Sequence, residues 1–345
     1  MTVELFGVAG PLLALFAGFG VLIGLLFGFF GMGGSFLVTP ALMVMGYKTD
    51  VAVASGLAFV FATSVIATLK HRDLGQVDYK LGVLMIAGTT AGIEVGKLGL
   101  HALQAMGLAD TVVSVIYVGL LGGIGVFITY QATSGSSDGG IDHADADGEI
   151  DADDIPDVAK KIQSYRVPPM MSLRGGITVS LWMILAVAFA TGLLSGFLGV
   201  GGGFIRMPAL FYLIGVPVPV AVGTDLFEIV FSGGIGSFLY AIDGAVNLGI
   251  VVPLLAGSAF GARLGAAATS LVDEDEIKVY FGVMLLLGAL AVAVRKVGNF
   301  MDIPVLETVS LVIILGAATL VAGAVVVSSV QALRSEESPT PSAAD

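Results

Sequence analysis

The chain has 345 residues, of which 56% are hydrophobic and only 12% charged, with a mean hydropathy of +0.98. That balance excludes a water-soluble globular domain, because no polar shell could be drawn from it. The net charge of −12 argues against a nucleic-acid partner, and with no cysteine and three scattered histidines disulfides, thiol chemistry and a cysteine–histidine zinc centre fall away.

The expected fold is therefore an all-α polytopic membrane protein. In chain order, apolar runs long enough to cross a bilayer lie at Phe6 to Phe29, Val51 to Leu69, Leu81 to His101, Thr111 to Tyr130, Gly176 to Phe197, Val220 to Ile242, Leu248 to Leu271, Ile277 to Val294 and Ile303 to Val330. The first run has an acidic start at Glu4 and no small-residue cleavage site, so it reads as a retained span rather than a signal. Two shorter runs, Phe36 to Met45 and Phe204 to Ile214, are too short to cross as helices and are expected to be re-entrant segments.

Each short run follows a glycine cluster, and the two clusters match. Residues 28–42 read GFFGMGGSFLVTPAL and residues 196–210 read GFLGVGGGFIRMPAL. With one added residue the correspondence continues. VAVASGL at 51–57 matches VAVGTDL at 220–226, and GTTAGIEVG at 88–96 matches GSAFGARLG at 257–265. The chain thus reads as two homologous four-span repeats, each with a glycine-broken re-entrant segment, plus one extra C-terminal span. The expected boundaries are 1–131 for the first repeat, 132–174 for an acidic hydrophilic linker, 175–296 for the second repeat, 297–332 for the added helix and 333–345 for a disordered tail.

If each short run returns to the side it left, His71 to Lys80, the linker, Asp243 to Asn247, Arg295 to Asp302 and the N-terminus share one face. The lysines and arginines of those segments place that face in the cytoplasm, with the repeats parallel; if the short runs cross, the repeats are inverted. Gly88, Gly92 and Gly96 lie on one helix face, as do Gly257, Gly261 and Gly265, and stripes of small residues let membrane helices approach closely.

The acidic surplus, 27 Asp and Glu against 15 Lys and Arg, gathers in Asp138 to Asp157 and Asp273 to Glu276. Such a surface is the habit of salt-loving organisms, a halophile reading set beside that of a plain solvated linker. Within the linker, HADADGEIDADD at 143–154 is a weak echo of a calcium loop, with oxygen ligands at Asp145, Asp147, Asp151 and Asp154. No amphipathic helix pair flanks it, so an acidic linker is the preferred reading, and no cofactor is expected.

A glycine turn ahead of a short helix leaves backbone N–H groups free, which favours an anion. The candidate substrate-binding residues are therefore Gly31, Gly33, Gly34, Ser35 and Thr39 in the first copy and Gly199, Gly201, Gly202, Gly203 and Arg206 in the second. Ionisable groups inside spans are costly and are candidates by default. Asp225 and Glu228, three apart on one helix face, and Glu94 with Arg263, at equivalent positions in the two repeats, are candidates for proton or ion coupling. Arg206 could meet either the substrate or Asp225. Salt bridging without a transport role is the plain alternative for each.

The two glycine motifs and the two GxxxGxxxG stretches resemble the TauE/SafE-type sulfite exporters, over about Phe6 to Arg295. The resemblance implies a secondary transporter, in the export direction, of small sulfur-containing anions such as sulfite, sulfonates or thiosulfate, with proton coupling as a further implication. Its partners would be a small anionic solute and the lipid bilayer, with a homo-oligomer left open and the chain resident in the cell membrane as a multi-pass protein. Arg206 and Glu228 stand opposite apolar Val38 and Phe59 in the first copy, so the site is not symmetric. An enzyme is not expected, since neither HExxH nor GxSxG occurs. An anion channel or a membrane sensor without carrier activity is the alternative.

Overall fold

The computed structural model describes residues 4–5, 8–30, 35–73, 75–133, 167–173, 177–268, 272 and 274–336. Glycine positions 31–34, most of the linker with its calcium-loop echo, and the last nine residues lie outside these. Two short strands, β1 (Glu4–Leu5) and β2 (Val8–Ala9), precede α1 (Gly10–Phe30), the short α2 (Ser35–Val44), α3 (Thr49–Asp73), α4 (Tyr79–Ala105) and α5 (Ala109–Thr133). The second half opens with another antiparallel hairpin, β3 (Met170–Ser172) and β4 (Thr178–Ser180), in which Met170 pairs with Ser180. Then come α6 (Leu181–Leu198), the short α7 (Gly203–Ala209) continuing as a π-helical turn over Leu210–Ile214, α8 (Val218–Ile242), α9 (Leu248–Ala268), α10 (Glu274–Met301) and α11 (Pro304–Glu336). Among the described residues 9 helices are long and apolar enough to cross a membrane. The last helix runs to Glu336, into the stretch expected as tail.

Glycine stripes set the closest contacts. Along α1 and α9, Gly20, Gly24 and Gly28 face the backbone of Leu254, Ser258 and Ala262, while Gly257, Gly261 and Gly265 face the backbone of Ala17, Val21 and Leu25. Along α4 and α6, Gly92 and Gly96 meet the backbone of Phe189 and Leu193, and Gly192 and Gly196 meet that of Thr89 and Ile93. A β-carbon at any of these glycines would overlap the facing main chain, so the stripes are what lets the helices touch. Each stripe packs against a helix of the other half, so the halves are interlocked rather than side by side.

The same contacts fix directions. Glycine partners advance together along α1 and α9, and along α4 and α6, so each pair runs parallel. Gly223 of α8 meets Gln76 beyond the end of α3 and Gly233 meets Phe61, while the backbone N–H of Asn247 donates to Ser55, so α3 and α8 run antiparallel. At the end of α4, Lys97 pairs with Asp243 (2.8 Å). At the start of α5, Asp110 takes Arg295 (2.8 Å) and Lys296 (2.9 Å) from the end of α10.

One end of the helix array therefore gathers Gly10, Ala105 to Ala109, Asp243 to Leu248 and Met301. The opposite end gathers Asp73, Gly75 to Tyr79, Thr133, Met170 to Leu173, Ile177 to Ser180, Val218 and Glu274. This corrects the grouping expected from sequence, because His71 to Lys80 and Asp243 to Asn247 lie at opposite ends. The reason is the path of the short helices. Tyr47, past the end of α2, packs on Phe16 near the start of α1, ring centroids 6.1 Å apart, so α2 carries the chain back to where α1 began. The turn after α7 likewise comes back beside β3 and β4, where Leu210, Ile214 and Val216 join Leu173, Ile177 and Val179 with Leu81 and Met85 in one buried cluster. Lys80 fastens that hairpin by donating to the Ser172 carbonyl (2.6 Å).

Candidate functional site

The break between α6 and α7 is the most irregular buried backbone among the described residues. Gly199, Gly201 and Gly202 hold φ of +74°, +66° and +88°, a left-handed region that costs side-chain-bearing residues about 1 kcal/mol or more each. Irregular backbone at membrane depth survives only where its polar groups find partners, and here four carbonyls between Gly196 and Gly201 have one. Tyr240 donates to Gly196 (2.7 Å), Tyr117 to Leu198 (2.6 Å), Thr39 reaches Gly199 (3.3 Å) and Arg206 reaches Gly201 (3.4 Å). The donors come from α8, α5, α2 and α7, so five elements including α6 meet at the turn. The N–H groups of Gly201, Gly202 and Gly203 have no acceptor among the described residues.

Arg206 sits one turn into α7 and is fully buried. Its Nη1 donates to Asp225 Oδ1 (2.9 Å) and to Glu228 Oε2, and its Nε reaches the Thr191 hydroxyl (3.3 Å). Asp225 and Glu228 stand on one face of α8, 3% and 0% exposed. Glu228 also takes the Ser232 hydroxyl at Oε2 (3.0 Å) and meets the Thr89 hydroxyl of α4 at Oε1. Glu228, Thr89 and Thr191 each lie about 15 Å along their helices from the hairpin end of the array, half the thickness of a bilayer core. One cation and two carboxylates thus share a dry site at mid-depth, where burying charge is tolerated only with partners and hydrogen bonds.

The other candidates separate from this cluster. Glu94 and Arg263, at equivalent positions in the two repeats, are exposed, stand on helices that pack along different neighbours, and form no ion pair with each other among the described residues. The physical reason is helical phase. Glu94 lies midway between Gly92 and Gly96, and Arg263 between Gly261 and Gly265, so both point away from the packed stripe. Gly31, Gly33 and Gly34 lie outside the described residues, and Ser35 opens α2. Thr39 is buried beside the second turn, within 3.4 Å of the Ala52 carbonyl as well. Among other hydroxyls, Thr63 bonds back to its own helix and Thr224 accepts the N–H of Asp78 (2.9 Å).

Sequence reasoning missed Thr89, Thr191, Ser232, Tyr117 and Tyr240. Ser232 was findable, four residues after Glu228 and so on its helical face. Thr89, from the other half, carried no local signal.

With the geometry in place, comparison with known proteins is informative. Residues 16–292 match the family model described as Sulfite exporter TauE/SafE. The chain is 26% identical over 276 residues to the probable membrane transporter protein YunE of Bacillus subtilis, covering 78% of this chain and 92% of that one. It is 27% identical over 290 residues to a probable membrane transporter protein of Xylella fastidiosa strain Temecula1, covering 81% and 94%. A third relative, the probable membrane transporter protein MJ0441 of Methanocaldococcus jannaschii, is 26% identical over 282 residues, covering 77% and 90%. No solved structure matches. A family match spanning most of the chain, over a multi-pass helical fold, makes this protein a member of the sulfite exporter TauE/SafE family of membrane transporters.

Proposed function

We propose that the chain is a proton-coupled secondary transporter that exports small sulfur-containing anions such as sulfite, sulfonates or thiosulfate through the site around Arg206. The observation that carries this reading is a fully buried guanidinium at mid-depth, beside a glycine turn whose N–H groups at 201–203 have no acceptor among the described residues. Arg206 gives the one full positive charge, and the turn supplies donors that need no side chain. Because Asp225 and Glu228 already hold the guanidinium, an anion must compete with carboxylates, and a proton on one of them relieves that competition. Anion and proton then favour each other's binding, which is the coupling of a carrier that moves the two together.

The reciprocal packing of α1 on α9 and of α4 on α6 supports two interlocked repeats, each with a re-entrant pair. The reversed end assignments favour the inverted form over the parallel one. The hairpin end carries Lys70, Arg72, Lys80, Lys278 and Arg334, and the segment between Thr133 and Met170, both at that end, contains Lys160, Lys161 and Arg166 in its sequence. Lys48, Lys97, Arg295 and Lys296 lie at the other end. The positive-inside rule then puts the linker in the cytoplasm and the N-terminus outside, revising the shared cytoplasmic placement of the two.

Counterflow in proteoliposomes tests the transport reading. Vesicles loaded with unlabelled anion should transiently accumulate the same anion added outside in labelled form, for at least one of sulfite, thiosulfate, taurine and methanesulfonate. Accumulation with none of the four, or passive equilibration without overshoot, contradicts a carrier of this class.

A further inference from the structure

We infer that the Ser64 hydroxyl is a substrate ligand, donating to one oxygen of an oxyanion held by Arg206, and that Thr68 lines the way from there to the hairpin end; that the anion is transported rests on the function proposed above. The observation behind it is an unmet hydrogen bond. Ser64 is fully buried, yet its hydroxyl has no partner among the described residues. A hydroxyl within a helix commonly turns back to the carbonyl one turn before it, as that of Thr63 does to Phe59 (3.0 Å). The Ser64 hydroxyl makes no such bond, so its oxygen points off the helix. Buried hydroxyls without a partner are rare in native proteins, and here the missing partner has a place to stand.

Neighbours on α3 show where that place is. Val53, Leu57, Val60, Ser64 and Thr68 fall on one stripe of the helix. The backbone of Val53 lies against Gly199 and the Val60 side chain against Gly201, while Leu57 reaches Gly236 of α8. The stripe therefore follows the seam between the glycine break and α8. Arg206 spans the same seam, from α7 to Asp225 (2.9 Å) and Glu228 on α8. Ser64 is nine residues from Asp73, where α3 ends, so about 14 Å along the helix from the hairpin end. That is the level of Glu228, Thr89 and Thr191.

The guanidinium has a donor to spare on this side. Its Nη1 is held by the two carboxylates and its Nε by Thr191. Nη2 reaches only the Gly201 carbonyl among the described residues, at 3.4 Å, and Gly201 is the glycine that Val60 covers, one helical turn from Ser64. An anion with two or more oxygens takes Nη2 on one and the Ser64 hydroxyl on another, which satisfies both. The ligand would then be shared between the halves, Ser64 coming from the first and Arg206 from the second. One turn nearer the hairpin end, the Thr68 hydroxyl oxygen is also buried and unpartnered, which extends the polar lining of the stripe in that direction.

The chain contains no cysteine, so single-cysteine variants report one position each. Full-length Ser64→Cys, Thr68→Cys and Ser310→Cys proteins in lipid nanodiscs are treated with sulfonatoethyl methanethiosulfonate, a small thiol reagent that is itself a sulfonate, and followed by intact mass. The first two should be modified. Ser310→Cys, as buried as Ser64 but at a position bonded within α11 to the Glu307 carbonyl (2.7 Å), should not. Methanesulfonate or sulfate should slow modification of Ser64→Cys severalfold relative to gluconate at equal ionic strength. In counterflow, Ser64→Ala should raise the half-saturating concentration of the carried anion about tenfold, the effect of one hydrogen bond to a charged group. No modification of Ser64→Cys, modification no faster than that of Ser310→Cys, modification that neither anion slows, or an unchanged half-saturating concentration in Ser64→Ala overturns the assignment. If the parent shows counterflow with none of the anions named above while methanesulfonate or sulfate still protects Ser64→Cys, the binding role stands and the transport reading alone fails.

Discussion

Replacing Arg206 by methionine keeps most of the side-chain volume and deletes the charge that holds Asp225 and Glu228, 3% and 0% exposed. Breaking a buried ion pair by removing one partner costs about 3–5 kcal/mol, mainly through the charge left behind. Here two carboxylates share one cation, so the penalty belongs at the upper end unless one of them takes a proton. Neutralising the carboxylates should repair much of the loss. The triple variant Arg206→Gln, Asp225→Asn, Glu228→Gln keeps polar, hydrogen-bonding side chains of similar size, and should recover more than half of the single variant's deficit. Thermal unfolding of purified protein in one detergent, followed by far-ultraviolet circular dichroism, measures both. If Arg206→Met unfolds within about 1 kcal/mol of the parent, or the triple variant is no more stable than the single one, the cluster is not held by its charges.

Other expectations follow from the packing and the loops. Gly261→Val drives a side chain into the Val21 backbone and should lower stability by about 1–3 kcal/mol or more, seen as loss of monodisperse protein. Gly316→Val, with nothing within 4 Å, should behave as the parent. The Lys97 ammonium, by hydrogen bond and charge, holds the Asp243 carboxyl below its ordinary value, with His101 adding a smaller effect. A depressed carboxylate stabilises above its unfolded pKa, about 3.9, and loses that effect as pH falls through its folded value. Asp243→Asn should therefore lower stability slightly at neutral pH, where the exposed pair still contributes, match the parent in acid, and so flatten the acid limb of the stability profile. Single cysteines at Gly75 and Gly244 should react with an impermeant thiol reagent from opposite sides of the membrane, and labelling of both from one side would refute the revised end assignment.

Much of this architecture was legible because bilayer crossing is a demand on length and hydropathy, and span positions such as Val220 to Ile242 needed only those. Arg206, Asp225 and Glu228 were legible for the opposite reason, since charge inside an apolar run needs an explanation. The direction of the chain was not. Whether a ten-residue helix after a glycine turn goes on or comes back depends on contacts such as Tyr47 on Phe16, which no local pattern encodes. The second hairpin had a signal in the sequence, apolar alternation at Met171, Leu173, Ile177 and Val179 on either side of an Arg-Gly-Gly tripeptide. The Thr89 contact is a meeting of halves, visible only once α4 is laid along α6. Gly201→Val is a poor probe of anion approach, because the φ of +66° at Gly201 and the adjacent Val60 side chain mean that a valine there would disturb the turn itself.

The central claim is that Arg206 and its two carboxylates form the transport site rather than a structural clasp. The triple variant described above removes all three charges while restoring the balance between them, so it separates the two roles. Reconstituted beside the parent and assayed by counterflow with whichever labelled anion the parent carries, it should remain folded and show no transient accumulation. Accumulation at the parent's rate in that variant would contradict the account and return Arg206, Asp225 and Glu228 to a purely structural role.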